Sequence, residues 1–112
     1  MTVTVIDYGV VNISAICNML RRLGVQVVVA NKPSTVLSAK KIILPGVGSF
    51  DQGINALHER DLVSPILKKC HEDSTPLLGI CLGMQLLGNK SEESQNDLEG
   101  LGLIDGSSFR FK

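Results

Sequence analysis

Short runs of β-branched residues alternate with helical stripes of apolar residues along most of this chain, and that alternation restricts the fold more than any other feature. Residues 3–6 form the first such run and end at a turn, residues 7–9. Apolar residues from Ile13 to Leu23 then recur every three or four positions, which is typical of one helix face. Gly24 ends this stripe, and residues 25–29 form a second run. This order of strand, helix and strand predicts a parallel β-α-β unit.

The same alternation continues to residue 87. We predict a third strand at residues 41–44, a fourth at residues 77–80 and a helix at residues 82–87. Between the third and fourth strands, two helices are predicted to break near Asp61 or Pro65, while Asn12 is predicted to cap the first helix. Pro33 is expected to interrupt the chain after the second strand. The predicted fold class is α/β, a doubly wound, flavodoxin-like parallel sheet with ligands beyond the carboxyl ends of its strands.

The last quarter of the chain departs from this pattern. Residues 89–97 are polar and are expected to form an exposed loop. Residues 101–104 and 107–111 are predicted to be two short strands joined by an Asp-Gly turn at Asp105 and Gly106.

Composition excludes several classes of function. The 112 residues include 11 basic and 11 acidic side chains, which argues against a nucleic-acid or membrane-surface partner, since both require excess positive charge. No apolar run is long enough to span a membrane and no signal peptide is evident, so a cytoplasmic location is expected. Three cysteines without a C-x-x-C pair predict neither a disulfide framework nor a zinc site, and no metal or cofactor is expected.

Residues 79–83, Gly-Ile-Cys-Leu-Gly, carry the sharpest chemical signal. A cysteine between two glycines, at the turn from a strand into a helix, matches the nucleophile elbow of hydrolases. The helix N-terminus favours the thiolate, and nearby backbone N–H groups can face an oxyanion. The alternative is that Cys81 is a small buried apolar residue, which is the commoner role of a free cysteine.

Residues 44–50 carry the second signal, because a buried strand here opens into a glycine pair at Gly46 and Gly48. Such glycines let backbone N–H groups turn toward a developing negative charge. A dinucleotide fingerprint does not fit, because Asp51 stands where its third glycine belongs. A plain structural turn is the other alternative, and the absence of Gly-Lys-Ser/Thr excludes a P-loop.

Together these motifs resemble the class I glutamine amidotransferases, and within them the glutaminase subunits of imidazole glycerol phosphate synthase in histidine biosynthesis. The resemblance spans residues 3–111 but covers about the first half of a typical member. It implies that residues 1–112 are the N-terminal portion of one such domain. The matching segments are residues 7–9, 44–50, 79–87, 91–93 and 100–104.

The resemblance also implies individual roles. Cys81 matches the nucleophile that attacks the side-chain amide of L-glutamine, giving a γ-glutamyl thioester and ammonia. The ammonia would pass to a synthase subunit of cyclase type, a (β/α)₈ barrel. The oxyanion hole is matched by Gly46, Val47, Gly48 and the backbone N–H of Leu82, and the glutamine-binding positions by Gln85 and Glu93.

Three departures from the family pattern bear on function. Val11 replaces a glycine of the first turn, and residues 88–90 read Gly-Asn-Lys, as in paralogues that supply ammonia for amidino sugars of surface polysaccharides. The family's catalytic His and Glu lie in the second half of the domain, and neither His58 nor His71 matches that position. Two further hypotheses are therefore an inactive, truncated relative that binds the synthase subunit and a flavodoxin-like binder of a small ligand. A sheet of only four strands is also expected to expose an apolar edge.

Overall fold

A four-stranded parallel sheet organises the computed structural model, which describes residues 1–109. Its strand order is β2-β1-β3-β4, so the chain winds outward in both directions from the pair β1 and β3. This is the order of the flavodoxin-like doubly wound fold, and it confirms the predicted class. The strands are β1 Thr2–Ile6, β2 Gln26–Ala30, β3 Ile42–Leu44 and β4 Leu77–Gly79.

Helices cover both faces of this sheet, but unequally. Val3 and Val5 point to the face that α1 covers, while Ile6 points to the opposite face with the larger core. That larger core contains buried side chains from all the remaining helices and has Phe50 fully buried within it. The helices are α1 Ser14–Arg22, α2 Pro33–Leu37, α3 Phe50–Glu59, α4 Val63–His71 and α5 Leu82–Leu86.

Two predicted helix boundaries were wrong. Asn12 is not the N-cap of α1: that position is Ile13, and the Asn12 side chain accepts a hydrogen bond from the Ser14 N–H at 3.0 Å. Pro33 begins α2 instead of interrupting the chain, because a proline in the first turn of a helix forfeits no backbone hydrogen bond. The predicted break between α3 and α4 is confirmed at Asp61, whose φ of 55° is incompatible with a continuous helix.

The predicted C-terminal hairpin was also wrong. Residues 101–104 form no strand; instead the N–H groups of Leu101 and Ile104 donate to the carbonyls of Leu86 and Leu87, at 2.7 and 2.9 Å. These bonds satisfy carbonyls that the end of α5 leaves without helical partners, which outweighs a local hairpin. Strand β5 (Lys90–Ser91), within the predicted loop, pairs in parallel with β6 (Ser107–Ser108). Strand β6 is therefore part of the predicted second strand, but Phe109 lies beyond its end, and residues 110 and 111 lie outside the described residues.

Strand β4 lies at one edge of the sheet, and Leu78 points to the face that, among the described helices, α1 alone covers. Its register with β3 pairs Ile43 with Leu78, and Leu78 is 57% exposed although Ile43 is buried. The expected apolar edge is therefore present. Within residues 1–109, every helix is too short or too polar to cross a membrane.

Candidate active site

The backbone at Cys81 adopts a conformation that side-chain-bearing residues rarely adopt. Its φ is 55° and its ψ is −121°, and it occupies the N-cap position of α5 immediately after β4. Non-glycine residues in such regions carry strain that the surrounding structure must impose. The Cys81 residue is exposed. A strained, exposed cysteine between a strand and a helix is the geometry predicted for a nucleophile elbow.

The two glycines that flank Cys81 are required by close backbone packing. A Cβ on Gly83 would overlap the carbonyl oxygen of Leu44, at the end of β3. A Cβ on Gly79 would lie 2.8 Å from both the backbone nitrogen and the Cα of Met84. The spacing of the motif therefore reflects the tight passage of α5 past the ends of β3 and β4.

The register of the sheet places Cys81 beside the second glycine motif. Leu44 pairs with Gly79, and the ladder continues beyond the strands because the Leu82 N–H donates to the Gly46 carbonyl at 3.1 Å. A Cβ on Gly46 would lie 3.1 Å from the Leu82 Cβ. The structure thus brings together the predicted nucleophile and residues 46–48, which we call the oxyanion segment.

Two N–H groups of the oxyanion segment are free to bind an anion. Val47 and Gly48 are exposed, and within residues 1–109 their N–H groups donate no hydrogen bond. Gly48 has a φ of 101°, which favours glycine. The N–H of Leu82, in contrast, is occupied by the Gly46 carbonyl in this conformation. Leu82 can contribute to an oxyanion hole only after that carbonyl moves away.

Tyr8 binds the residue that precedes the oxyanion segment, a role that the sequence did not suggest. Its hydroxyl donates to the Pro45 carbonyl at 2.5 Å, and the whole side chain is buried. Burial raises the pKa of Tyr8 far above its ordinary value, so the phenol remains a donor at every physiological pH. A Cβ on Gly46 would overlap this hydroxyl, so Gly46 and Tyr8 fit each other.

Gln85 presents a buried acceptor without a partner. Its Oε1 is inaccessible to solvent and accepts no hydrogen bond within the described part of the chain. Buried polar atoms are nearly always paired, so an unpaired one marks a place where a ligand donor can bind. Gln85 also lines a small cleft of about 180 Å³ together with Met84, Gly88, Ile104 and residues 106–108.

Glu93 lies in an exposed turn after β5. Its N–H donates to the Oγ of the buried Ser91 at 3.2 Å. The next residue, Ser94, donates through its hydroxyl to Asp51 in the first turn of α3, just after the oxyanion segment. The structure therefore ties the Glu93 turn to the neighbourhood of the oxyanion segment. No sequence feature indicates this role for Asp51, because an acidic residue in the first turn of a helix is ordinary.

The other two thiols are wholly or partly buried, and both histidines lie on the surface. Cys17 is a buried residue of α1, and partial burial raises the pKa of the Cys70 thiol. His58 and His71 are exposed, on α3 and α4. Within residues 1–109, no group of three or more His, Cys, Asp or Glu side chains is arranged to hold a metal ion.

A doubly wound sheet with a strained cysteine at a strand-to-helix turn defines a class of α/β proteins that act through a nucleophile elbow. Comparison with known families narrows this class, because the family model described as glutamine amidotransferase class-I matches residues 4–99. The chain belongs to the class I glutamine amidotransferases.

Curated relatives point to one branch of this family. The chain is 46% identical over 110 residues to imidazole glycerol phosphate synthase subunit HisH 2 of Methanococcus maripaludis, covering 98% of this chain and 54% of the relative. It is 42% identical to subunit HisH 2 of Pseudomonas aeruginosa, with the same coverage of 98% and 54%. Subunit HisH of Bacillus cereus is 43% identical, with 98% and 52% covered. The chain thus spans about half the length of these relatives.

Solved structures support the fold alone. A crystal structure of a glutamine amidotransferase superposes with a TM-score of 0.80 at 20% identity, covering 96% of this chain and 56% of the other. A peptidase E protein from Listeria monocytogenes gives a TM-score of 0.72 at 16% identity, with 93% and 63% covered.

Proposed function

We propose that the protein containing these residues is the glutaminase component of a two-subunit glutamine amidotransferase, and that its partner is the synthase subunit of imidazole glycerol phosphate synthase. It hydrolyses L-glutamine to glutamate and ammonia and passes the ammonia to that cyclase-type subunit, a (β/α)₈ barrel. The observation that carries this proposal is the strained backbone of Cys81. The next residue, Leu82, bonds to Gly46 of the oxyanion segment, in which the N–H groups of Val47 and Gly48 are unpaired within residues 1–109. The relatives' names support the choice of pathway.

The proposed chemistry starts with the thiolate of Cys81. Its Sγ attacks the side-chain carbonyl carbon of glutamine, and the carbonyl oxygen becomes an oxyanion bound by the oxyanion segment. The C–N bond then breaks, the leaving nitrogen takes up a proton, and ammonia departs from a γ-glutamyl thioester. Water hydrolyses the thioester to glutamate and restores the thiol. His58 on α3 and His71 on α4 do not match the family's catalytic position, so we propose that other residues supply the base and acid for these proton transfers.

Two side chains are proposed to hold the substrate. The unpaired Oε1 of Gln85, one helical turn beyond Cys81, can accept a hydrogen bond from glutamine. The carboxylate of Glu93 suits the ammonium group of the substrate. The family resemblance and the positions of the two side chains support these roles. No cofactor or metal enters this scheme, and the balanced charge of the chain does not favour a nucleic-acid partner.

The oxyanion segment must reorganise before the Leu82 N–H can join Val47 and Gly48 as a third donor. The Leu82 N–H donates to Gly46 in this conformation, so only Val47 and Gly48 offer free donors. Turning the Gly46 carbonyl away would free the third donor. We infer that substrate or the synthase subunit drives this change, since each could bind the rearranged segment better than the present one.

A glutamine-like electrophile tests the proposal. A chloroketone analogue of L-glutamine is expected to alkylate Cys81 with saturation kinetics in the complete protein, and free glutamine is expected to protect it. The Cys81→Ala variant should lose both the labelling and glutamine hydrolysis. Labelling that persists in that variant, or that never saturates in the wild type, would refute the assignment.

We further propose that residues 1–112 form the N-terminal part of one such domain, in a cytoplasmic protein, because the proposed partner is a biosynthetic synthase. Coverage of 54% of the Methanococcus maripaludis relative supports the first statement. The intact mass of the native protein tests it. A mass well above 12.0 kDa is expected, whereas a mass of 12.0 kDa would mean that another chain completes the site or that hydrolysis is lost.

A second candidate function is supply of ammonia for amidino sugars of surface polysaccharides, favoured by the Gly-Asn-Lys sequence at residues 88–90. In the structure the carbonyls of Asn89 and Gly88 accept backbone hydrogen bonds from Gly100 and Gly102, and Gly88 lines the Gln85 cleft. Ammonia-dependent product formation with each candidate synthase distinguishes the two pathways. Binding to a synthase without any glutamine hydrolysis, at saturating partner, would instead support an inactive binding module.

A further inference from the structure

Asp51 gathers hydrogen bonds from three consecutive residues that lie more than forty positions away in the chain. Its Oδ1 accepts from the Ser94 hydroxyl, and its Oδ2 accepts from the Gln95 N–H at 3.0 Å and from the Asn96 side-chain amide at 3.4 Å. A carboxylate with this many donors is held in one orientation, because each donor fixes one lone-pair direction.

The hydroxyl of Ser94 extends this arrangement into the segment that follows. While donating to Asp51, its Oγ also accepts from the Leu98 N–H at 3.0 Å. Leu98 in turn packs against the main core. Residues 94–98, which we call the anchored segment, are therefore fixed at one end by Asp51 and at the other by the core.

Glu93 lies between two fixed points. On one side, its own N–H bonds to the buried Ser91; on the other, Ser94 begins the anchored segment. Asp51 is two residues beyond Ser49, which ends the turn after the oxyanion segment and caps α3 by accepting from the Gln52 N–H at 3.2 Å. One carboxylate thus joins the Glu93 turn to the element that carries the oxyanion segment.

The hydrogen bonds from the anchored segment favour the ionised form of Asp51. The Ser94 hydrogen bond, with further bonds from residues 95 and 96, lowers the pKa of the Asp51 carboxyl below its ordinary value. The ionised form is also favoured by the N-terminal end of α3. An interaction with the N-terminal end of α3 does not account for the donors from residues 94–96, so Asp51 also binds that distant segment.

We propose that Asp51 is a positioning residue that sets the distance between the oxyanion segment and Glu93, and so between the two ends of a bound glutamine. This inference rests on the proposed function, in which Glu93 binds the ammonium group of the substrate. Asp51 touches neither the nucleophile nor the substrate in this role.

The test compares Asp51→Asn with Asp61→Asn in the complete protein. Both remove one carboxylate without changing side-chain size, but Asp61 is exposed and lies between α3 and α4. Within the described residues its backbone N–H donates to the His58 carbonyl, whereas its carboxylate makes no hydrogen bond. The chloroketone analogue should need about tenfold higher concentration to half-saturate Asp51→Asn, since at least one charge-assisted bond is lost. Its limiting alkylation rate and the rate with iodoacetamide, which has no ammonium group, should stay within about twofold.

A double variant separates positioning from general structural damage. If Asp51 acts through Glu93, Asp51→Asn should add little to the defect of Glu93→Gln, whereas two independent effects would multiply. Ser94→Ala, which removes one hydroxyl only, should weaken analogue binding in the same direction and serves if Asp51→Asn does not fold. Faster amide hydrogen exchange at Gln95 and Leu98 should accompany both changes and be absent in Asp61→Asn.

The outcomes are distinguishable. Equal half-saturation for Asp51→Asn and Asp61→Asn, with a saturable wild type, would overturn the inference and leave the proposed function standing. Multiplicative effects in the double variant would also overturn it. A wild type that shows no saturation with the analogue would refute the proposed function and, with it, the role given to Asp51.

Discussion

Cys81 shows how a single residue can be both strained and necessary. Its φ of 55° and ψ of −121° are maintained by the ladder between β3 and β4 and by glycines that let α5 approach. Strain of this kind costs about 1–3 kcal/mol and persists only where surrounding contacts impose it. The benefit is an exposed sulfur at the carboxyl edge of the sheet, where a ligand can reach it.

The three thiols should therefore react at different rates. We expect iodoacetamide to modify Cys81 first, because it is exposed, whereas Cys17 is buried and the pKa of Cys70 is raised by burial. Peptide mass spectrometry over a time course measures the order. The Cys81→Ser variant is the control, and modification of Cys70 as fast as Cys81 would contradict the geometry.

We expect Gly83 to tolerate substitution poorly, because its Cα packs closely against β3. Gly83→Ala is expected to destabilise the fold by more than about 2 kcal/mol, because the new methyl group overlaps the Leu44 carbonyl. The matched control is Gly106→Ala, where nothing lies within 4 Å and a change within about 0.5 kcal/mol is expected. Urea unfolding of the complete protein compares them. Equal stability of the two variants would show that α5 is not held against β3.

At the scale of elements, the loops after β1, β3 and β4 meet because parallel strands end at one edge. Tyr8 after β1 bonds to Pro45 after β3, and Leu82 after β4 bonds to Gly46. Asp51 adds the anchored segment to this group. Each bond crosses between elements that are distant in the chain, so the site is assembled by the sheet and not by any one motif.

The anchored segment should respond to acid with a defined sign. Because hydrogen bonds lower the Asp51 pKa below its ordinary 3.8, the attachment is fully present above pH 3.8 and is lost as the pH falls through the lower folded value. The amide signal of Gln95 in a nuclear magnetic resonance titration should report this loss. In Asp51→Asn the transition should vanish, and a wild-type midpoint at or above 3.8 would contradict the prediction.

Tyr8 offers a second prediction at this scale. Tyr8→Phe keeps the buried ring but leaves the Pro45 carbonyl without its donor, so stability should fall by about 1–3 kcal/mol. Chemical denaturation measures the change. Phe50→Leu, at another fully buried position of the same core, is the control, because it changes packing without removing a hydroxyl. An unchanged stability in Tyr8→Phe would mean that water replaces the phenol at this carbonyl.

At the scale of the whole molecule, the sheet is covered unevenly. Among the helices of residues 1–109, four pack against one face and α1 packs against the other, and the edge strand β4 presents Leu78 at 57% exposure. Exposed edges with apolar side chains tend to pair with other chains.

Residues 1–112 expressed by themselves should therefore self-associate. Size-exclusion chromatography with light scattering should show species larger than 12.0 kDa, and Leu78→Lys should reduce them because a charge at the edge opposes pairing. Ile104→Lys is the matched control, since Ile104 is 55% exposed but belongs to none of the four strands. A sharply melting monomer, or equal effects of the two variants, would contradict this expectation.

The sequence by itself determined the periodic elements and the two glycine motifs. Hydrophobic spacing is local, so it identified the four strands, the helix stripes and the turn that holds Cys81. It also identified Gly46 and Gly48, because glycine has few substitutes where the backbone must turn or pack closely. The family resemblance added Gln85 and Glu93, which as isolated polar residues carry no signal of their own.

Only the tertiary structure decided the pairings that depend on distant partners. The hairpin predicted after residue 100 does not form, because Leu101 and Ile104 bond to the end of α5 instead. The pairing of β5 with β6 could not be predicted from local sequence pattern. The roles of Tyr8 and Asp51 likewise depend on contacts with Pro45 and Ser94, 37 and 43 residues away in the chain. Local preferences are weak, amounting to a kcal/mol or less per residue, so a few long-range hydrogen bonds and buried contacts are enough to override them.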